Sequence, residues 1–242
     1  MNIICVENYE EMSKVAADLL EEKVLGNPKS VLGLATGSTP LGLYANLVEG
    51  HKTRNVSYKE VQTVNLDEYL GLSKEHPQSY NAFMKENLFD KVDIAEENTH
   101  LPNGVPASAE EECANYEALI EKIGPVNLQI LGIGTNGHIG FNEPGTPADS
   151  VTHVTELTAS TIESNKPNFE KEEDMPTHAI TVGIHTILQS EEIILLASGK
   201  SKAEAIKRLL DKNISEDNPS SFLWNHEQVT LIVDREAYGL VE

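Results

Sequence analysis

The sequence predicts an α/β fold: one domain built on a mainly parallel, Rossmann-like sheet with helices on both faces. Three observations carry this expectation. Short apolar runs recur that are continuous rather than alternating, as strands buried on both faces require. Amphipathic stretches separate them, so strand and helix alternate nearly throughout. No Ser/Gly/Pro-rich tract or composition shift marks a linker in the 242 residues, a length that one α/β domain can hold, so residues 1–242 read as one domain.

Ile3 to Val6 opens the chain as a strand, and a helix follows over Glu10 to Val24. Val31 to Ala35 is the next strand. Pro40 after Thr39 suits the first position of a helix reaching Glu49, where the N–H that proline lacks has no helical partner anyway. Val61 to Asn65 reads as a strand and Ser79 to Leu88 as a helix. Ser108 with Glu111 makes a capping box for a helix to Lys122. Leu128 to Ile133, Ala179 to Val182, Ile193 to Ala197 and Val229 to Val233 complete the strands, with a helix over Ser201 to Leu210. Two stretches resist regular assignment: Gly134 to Pro147, dense in Gly and Pro, and Asn165 to Pro176, rich in acids. The acidic run Glu170 to Asp174 reads as a solvated loop, although a long loop can also be a lid.

Eighteen Lys and Arg against 39 Asp and Glu give a formal charge of −21. That sign repels nucleic-acid phosphates and anionic membranes. It also disfavours an anionic small substrate, so any phosphate site must be built locally from backbone N–H groups and a few placed cations. Cys5 and Cys113 form no C-x-x-C or Cys/His pair, which points to free thiols in a reducing compartment. Neither a signal peptide nor a membrane-length apolar run is seen, and a cytoplasmic location is expected. The eight histidines show no metal-binding spacing, so no metal is expected.

Four motifs follow predicted strands, where ligands of such folds gather beyond the carboxyl ends. Thr36-Gly37-Ser38-Thr39-Pro40 is a turn into a helix, whose free N–H groups and hydroxyls suit a phosphate; read alone, it is more readily a helix start capped by Thr39. It lacks the Gly-Lys-Ser/Thr of an NTPase loop. Asn65-Leu66-Asp67-Glu68-Tyr69 places two acids at a strand end, where burial can tune a general base, though Asp also marks ordinary turns. Gly132-Ile-Gly134-Thr-Asn136-Gly137-His138 contains a formal G-x-G-x-x-G. Two glycines and two prolines between Ile139 and Pro147 rule out the long helix of a dinucleotide site. Instead the turn delivers His138 and Glu143 to one loop, an acid-base unit near neutrality. In Ser198-Gly199-Lys200-Ser201-Lys202, a lysine at a helix start opposes the dipole and suggests an anion nearby; a solvated lysine is the alternative.

Taken together, residues 32–40, 65–69, 75–80 (Glu-His-Pro-Gln-Ser-Tyr) and 132–145 (Gly-Ile-Gly-Thr-Asn-Gly-His-Ile-Gly-Phe-Asn-Glu-Pro-Gly) resemble the glucosamine-6-phosphate deaminase family over essentially the whole chain. The resemblance implies conversion of glucosamine 6-phosphate and water to fructose 6-phosphate and ammonia, without a cofactor. It assigns Asp67 as the base moving the C2 proton to C1. His138, oriented by Glu143, assists ring opening, and Asn136 supports them where some members have Asp. Thr36, Gly37, Ser38, Thr39 and Lys202 would hold the phosphate, under a lid around residues 150–175. Lys166 would stand in for a lid arginine within Asn165-Lys166-Pro167-Asn168-Phe169. The chain ends near Glu242, without the C-terminal extension of allosterically activated members, and carries His153 and Thr155 where those have basic effector contacts; no activation by N-acetylglucosamine 6-phosphate is expected. The family includes monomers and hexamers, and either state fits.

Two rivals have different needs. A 6-phosphogluconolactonase would use His138 but not Asp67. A non-catalytic sugar-phosphate sensor would keep the phosphate loop without needing Asp67, His138 and Glu143 together.

Overall fold

The computed structural model describes residues 1–166, 169, 171 and 174–241. In chain order the strands and helices are β1 (Asn2–Val6), α1 (Tyr9–Gly26), β2 (Val31–Leu34), α2 (Leu41–Arg54), β3 (Gln62–Asn65), β4 (Asp67–Tyr69), α3 (Tyr80–Asn87), β5 (Thr99–His100), α4 (Ala109–Ile123), β6 (Leu128–Gly132), β7 (His153–Glu156), α5 (Ala159–Asn165), β8 (His178–Thr181), α6 (Ile184–Ile187), β9 (Ile193–Ala197), α7 (Ala203–Leu210), β10 (Val229–Asp234) and α8 (Arg235–Tyr238). Seven strands form one sheet in the order β1-β10-β9-β6-β2-β3-β5, and every pairing in it is parallel.

Side-chain alternation explains the continuous apolar runs. Along β9, Ile194 and Leu196 join a core containing Leu20 of α1 and Leu43 of α2. Ile193, Leu195 and Ala197 join the opposite core, with Tyr116 of α4 and Ile206 of α7. Each face therefore needs apolar residues, and no polar alternation survives. The fold is a single α/β domain with helices on both faces.

Helix starts follow local chemistry. The side chains of Asn8, Ser79 and Asp234 accept from the N–H groups of Glu11, Ala82 and Ala237 at 2.8–3.0 Å, which satisfies donors a helix N-terminus leaves open. Half of the expected capping box forms: the Ser108 hydroxyl accepts from Glu111 N at 3.2 Å.

The structure corrects four expectations. Pro40 sits one residue ahead of its helix, which starts at Leu41 and runs to Arg54 rather than Glu49. The helix expected from Ser201 begins at Ala203, because Lys200–Lys202 form a 3-10 turn. Asp67–Tyr69 is a strand in its own right. It belongs with β8 and β7 to a separate three-stranded antiparallel sheet. The run Ala179 to Val182 is thus not a strand of the parallel sheet; a short apolar run has the same pattern in either setting. Part of the Asn165 to Pro176 stretch, including Glu170, Glu172 and Glu173 of the acidic run, lies outside the described residues.

Candidate active site

Sheet topology locates the site. From β2 the chain proceeds outwards through β3 to β5 on one side, and from β6 through β9 to β10 on the other. The connections diverge between β2 and β6, and a crevice opens beyond the carboxyl ends of strands at such a point. A cavity of about 800 Å³ lies there. It is lined by the Thr36–Thr39 turn after β2, Asp67 and Tyr69 of β4, Tyr80 of α3, His138 after β6, and Lys202 before α7. A second cavity of about 710 Å³ lies at the opposite, amino-terminal edge of the sheet and contains none of the motif residues.

The turn after β2 is held from behind. The Tyr9 hydroxyl donates to the carbonyls of Ser38 and Thr39 at 3.0 and 3.1 Å and accepts from Gly42 N at 2.8 Å. Gly37 has φ +95°, a conformation that favours glycine. The carbonyls are thereby turned to protein. Among the described residues no protein acceptor takes the N–H groups of Gly37, Ser38 and Thr39, so they remain available to an anion. Pro40 has no N–H, and α2 has no side-chain cap, so Thr39 is not acting as one.

Lys202 projects into the same cavity. Its position depends on Asp234 at the end of β10, which accepts from Ser198 Oγ at 2.5 Å and from Gly199 N at 3.0 Å. The Ser198 hydroxyl and the Gly199 N–H are thus occupied by a protein carboxylate, and Lys202 is the side chain of this motif that lines the cavity. Burial lowers the Lys202 pKa. No ion-pair partner for it is found among the described residues.

Asp67 is 6% exposed, on the cavity side of β4. Burial pushes its carboxyl up to about 8; the charge of Glu68 adds to the rise, and the facing Thr36 hydroxyl opposes it. Antiparallel pairing sets Asp67 opposite Thr181 of β8. Thr181 Oγ1 accepts from Phe141 N at 3.1 Å, which ties the loop after β6 to the Asp67 strand.

In that loop, Gly137 at φ +91° closes a turn in which Gly134 N donates to the His138 carbonyl at 2.9 Å. Asn142 stitches the far side with its amide, reaching the carbonyls of Ile139 and Val182 at 2.9 Å. The His138 Nδ1 lies 3.3 Å from Glu143 Oε1. That distance is close enough for an ion pair, but the angle misses hydrogen-bond geometry and leaves Nδ1 buried without a proper bond. Asn136 Nδ2 donates to the other Glu143 oxygen at 2.6 Å, and Asn136 Oδ1 accepts from His138 N at 3.1 Å. Burial raises the Glu143 carboxyl, but His138, Asn136 and Thr158 together outweigh it and hold the carboxyl below its usual value. Of the sequence-predicted site residues, Thr36, Gly37, Ser38, Thr39, Asp67, His138 and Lys202 line the cavity; Asn136 and Glu143 stand behind His138. Lys166, just past α5, does not line it and sits 3.9 Å from Glu163 Oε2.

Sequence reasoning missed an aromatic wall. Tyr69 and Tyr80 have ring centroids 4.7 Å apart, and Tyr80 stacks on Phe141 at 6.2 Å and 10°. Phe169 packs edge-on to Tyr69 at 6.4 Å and, with Thr161 of α5, also lines the cavity. The spacing of Tyr80 after a Ser79 cap was the available signal, but an aromatic there reads equally as core. Among the described residues, no three His, Cys, Asp or Glu side chains cluster as a metal site would need, and no helix is long and apolar enough to cross a membrane.

The fold and this cavity define an α/β enzyme whose acid-base groups meet beyond the carboxyl ends of a parallel sheet. The chain belongs to the family described as glucosamine-6-phosphate isomerases/6-phosphogluconolactonase, whose profile matches residues 7–232. It is 50% identical to a glucosamine-6-phosphate deaminase of Thermoanaerobacter sp. (strain X514), over 100% of this chain and 95% of that one. To one of Alkaliphilus metalliredigens (strain QYMF) it is 48% identical over the full length of both. A solved structure described as a monomeric glucosamine-6-phosphate deaminase superposes with TM-score 0.97 at 47% identity, covering 99% of this chain and 100% of that one. A 6-phosphogluconolactonase from Trypanosoma cruzi shares the fold, with TM-score 0.79 and 22% identity over 98% and 96%.

Proposed function

We propose that this chain is a glucosamine-6-phosphate deaminase, converting glucosamine 6-phosphate and water to fructose 6-phosphate and ammonia. The observation that carries the reading is the shared cavity: a buried carboxyl, an imidazole backed by a carboxylate, and an open anion turn with an unpaired lysine all face one space. An aldose isomerisation needs a base over C1 and C2, and a pyranose needs a separate proton shuttle to open.

The phosphate sits on the N–H groups of residues 37–39 with Lys202 as counter-charge. His138, steadied by Glu143 and Asn136, takes the C1 hydroxyl proton and returns one to the ring oxygen, which gives the open-chain aldehyde. Asp67 then removes the C2 proton and delivers it to C1, while O1 gains a proton and the nitrogen gives one up. That leaves a C1 alcohol and a C2 imine; water adds to the imine carbon and ammonia departs. Every atom is accounted for by substrate and water. Helix α5 and Phe169 form the wall that closes over the sugar and limits water; Lys166 reaches the phosphate only if that segment moves inward.

Ammonia release from glucosamine 6-phosphate, measured for wild type and Asp67→Asn, tests this. Loss of turnover with retained substrate binding is expected. Wild-type protein that binds the sugar phosphate yet frees no ammonia would refute it, and hydrolysis of 6-phosphogluconolactone would then be assayed. Saturation is expected to be hyperbolic with or without N-acetylglucosamine 6-phosphate.

A further inference from the structure

Glu68 is 2% exposed, and the proposed chemistry does not use it. Alternation along β4 sends Asp67 and Tyr69 to the cavity and Glu68 to the other side. There its carboxylate takes three backbone N–H bonds, each 2.9 Å long. They come from Tyr69, and from Tyr80 and Asn81 in the first turn of α3. The open N–H groups of that helix end are thus closed by an acid from a strand twelve residues earlier, alongside the Ser79 cap. Helix α3 carries Tyr80 and Phe83 into the cavity wall. One side chain therefore joins the strand bearing the base to the helix bearing the aromatic wall.

We propose that Glu68 is a positioning residue that clamps α3 to the Asp67 strand and, through the charge it carries once ionised, sets the pH range in which that base works. This rests on the deaminase reading for its kinetic consequences, but the clamp and the charge coupling are properties of the unliganded protein.

The groups facing Asp67 from the surrounding elements are few. Tyr44 of α2, Tyr69 of β4, Tyr80 of α3 and Tyr116 of α4 surround it, and all four are driven upwards by burial, so they stay neutral. His138 and Lys202 share the cavity. Among the described residues Glu68 is the carboxylate whose charge acts on Asp67. Burial raises Glu68 as it does Asp67, but three backbone N–H donors favour the charged form of Glu68 where Asp67 has the Thr36 hydroxyl, so Glu68 is expected to lose its proton first. The second ionisation then takes place against an existing charge.

The test begins with the wild-type protein without substrate, 13C-labelled at its side-chain carboxyls and assigned with Asp67→Asn and Glu68→Gln. Glu68 is expected to ionise at lower pH than Asp67; the reverse order overturns the proposal whatever the enzyme's substrate proves to be. Two variants then separate charge from reach. Glu68→Gln removes the charge, and the acid limb of kcat/KM should move down by roughly one pH unit. Glu68→Asp keeps the charge but is one methylene too short for α3; the limb should stay while KM rises roughly tenfold through loss of charge-assisted bonds. A uniform fall in activity with an unmoved limb in Glu68→Gln would mean a merely structural role and would sink the proposal. If either variant fails to fold, the titration still decides with Asp67→Asn alone: the Asp67 signal must titrate after that of a buried glutamate carboxyl, or the proposal falls.

Discussion

The imidazole of His138 fills the space that a side chain on Gly134 would need: a Cβ there would stand 2.2 Å from Cε1 and 2.3 Å from Nδ1. Gly134 is not in the positive-φ region, so the requirement for glycine is one of room rather than backbone conformation. Gly134→Ala should leave the turn intact and push the ring off the Glu143 carboxylate. We expect kcat for ammonia release to fall by roughly a hundredfold, the scale of a 1 Å displacement of a catalytic group, with the melting temperature little changed. An alanine variant with wild-type kcat would show that the seat of the ring is not critical.

The raised Asp67 carboxyl predicts a pH profile. A base must be ionised, so kcat/KM should climb about tenfold per pH unit up to about 8 and level off beyond it. Stability follows the opposite course. The folded-state pKa of about 8 lies above the ordinary 3.8, so the folded protein retains a proton that the unfolded chain gives up. The contribution is intact below the ordinary value and is lost as pH rises through the folded one. Asp67→Asn should therefore raise the melting temperature, more so in mildly alkaline than in mildly acidic buffer, while lowering turnover by about 10² to 10⁴. A melting-temperature gain that ignores pH would contradict the assignment.

Lys202 has its pKa lowered by burial. In the folded protein the charged form is disfavoured, so at neutral pH Lys202 costs stability that an anion would return. Lys202→Met should melt higher than wild type without ligand and show a KM raised about ten- to a hundredfold, with a smaller change in kcat. Inorganic phosphate should raise the wild-type melting temperature and affect the variant much less; equal effects would place the anion elsewhere.

Asp234 is 4% exposed and serves two ends at once, the Ser198-Gly199 turn and the α8 N-terminus. Asp234→Ala should cost about 2–4 kcal/mol from the lost cap and unpaired buried donors, measured by urea unfolding. It should also raise KM by loosening the segment that leads to Lys202. A stable variant with wild-type KM would remove Asp234 from the phosphate site.

Much of the molecule was legible in order along the chain. The central strands β2, β6, β9 and β10 announced themselves as apolar runs because each faces two cores, as Ile193–Ala197 does, whereas the two-residue edge strand Thr99–His100 gave no such signal. The loop 134–147 declared itself through glycines and prolines that no regular element tolerates, and the same residues carried His138 and Glu143. Strand β4 was not legible. Three residues cannot display a period, two of them are acids that strands disfavour, and only pairing with β8, more than a hundred residues on, makes them a strand. Glu68 could not be told from its neighbour Asp67 in the sequence; its three N–H donors, two of them twelve and thirteen residues away, gave it a separate place.

By itself the sequence determined the local chemistry: which of the longer apolar and amphipathic segments are strands or helices, which turns leave N–H groups open, and which side chains can exchange protons near neutrality. These depend on residues a few positions apart. Which of those groups meet was decided only by the tertiary structure. The order β1-β10-β9-β6-β2-β3-β5 sets the turn after β2 beside the loop after β6, and a second small sheet swings Asp67 between them. That order follows from burying both faces of the whole sheet at once, a requirement no single segment contains.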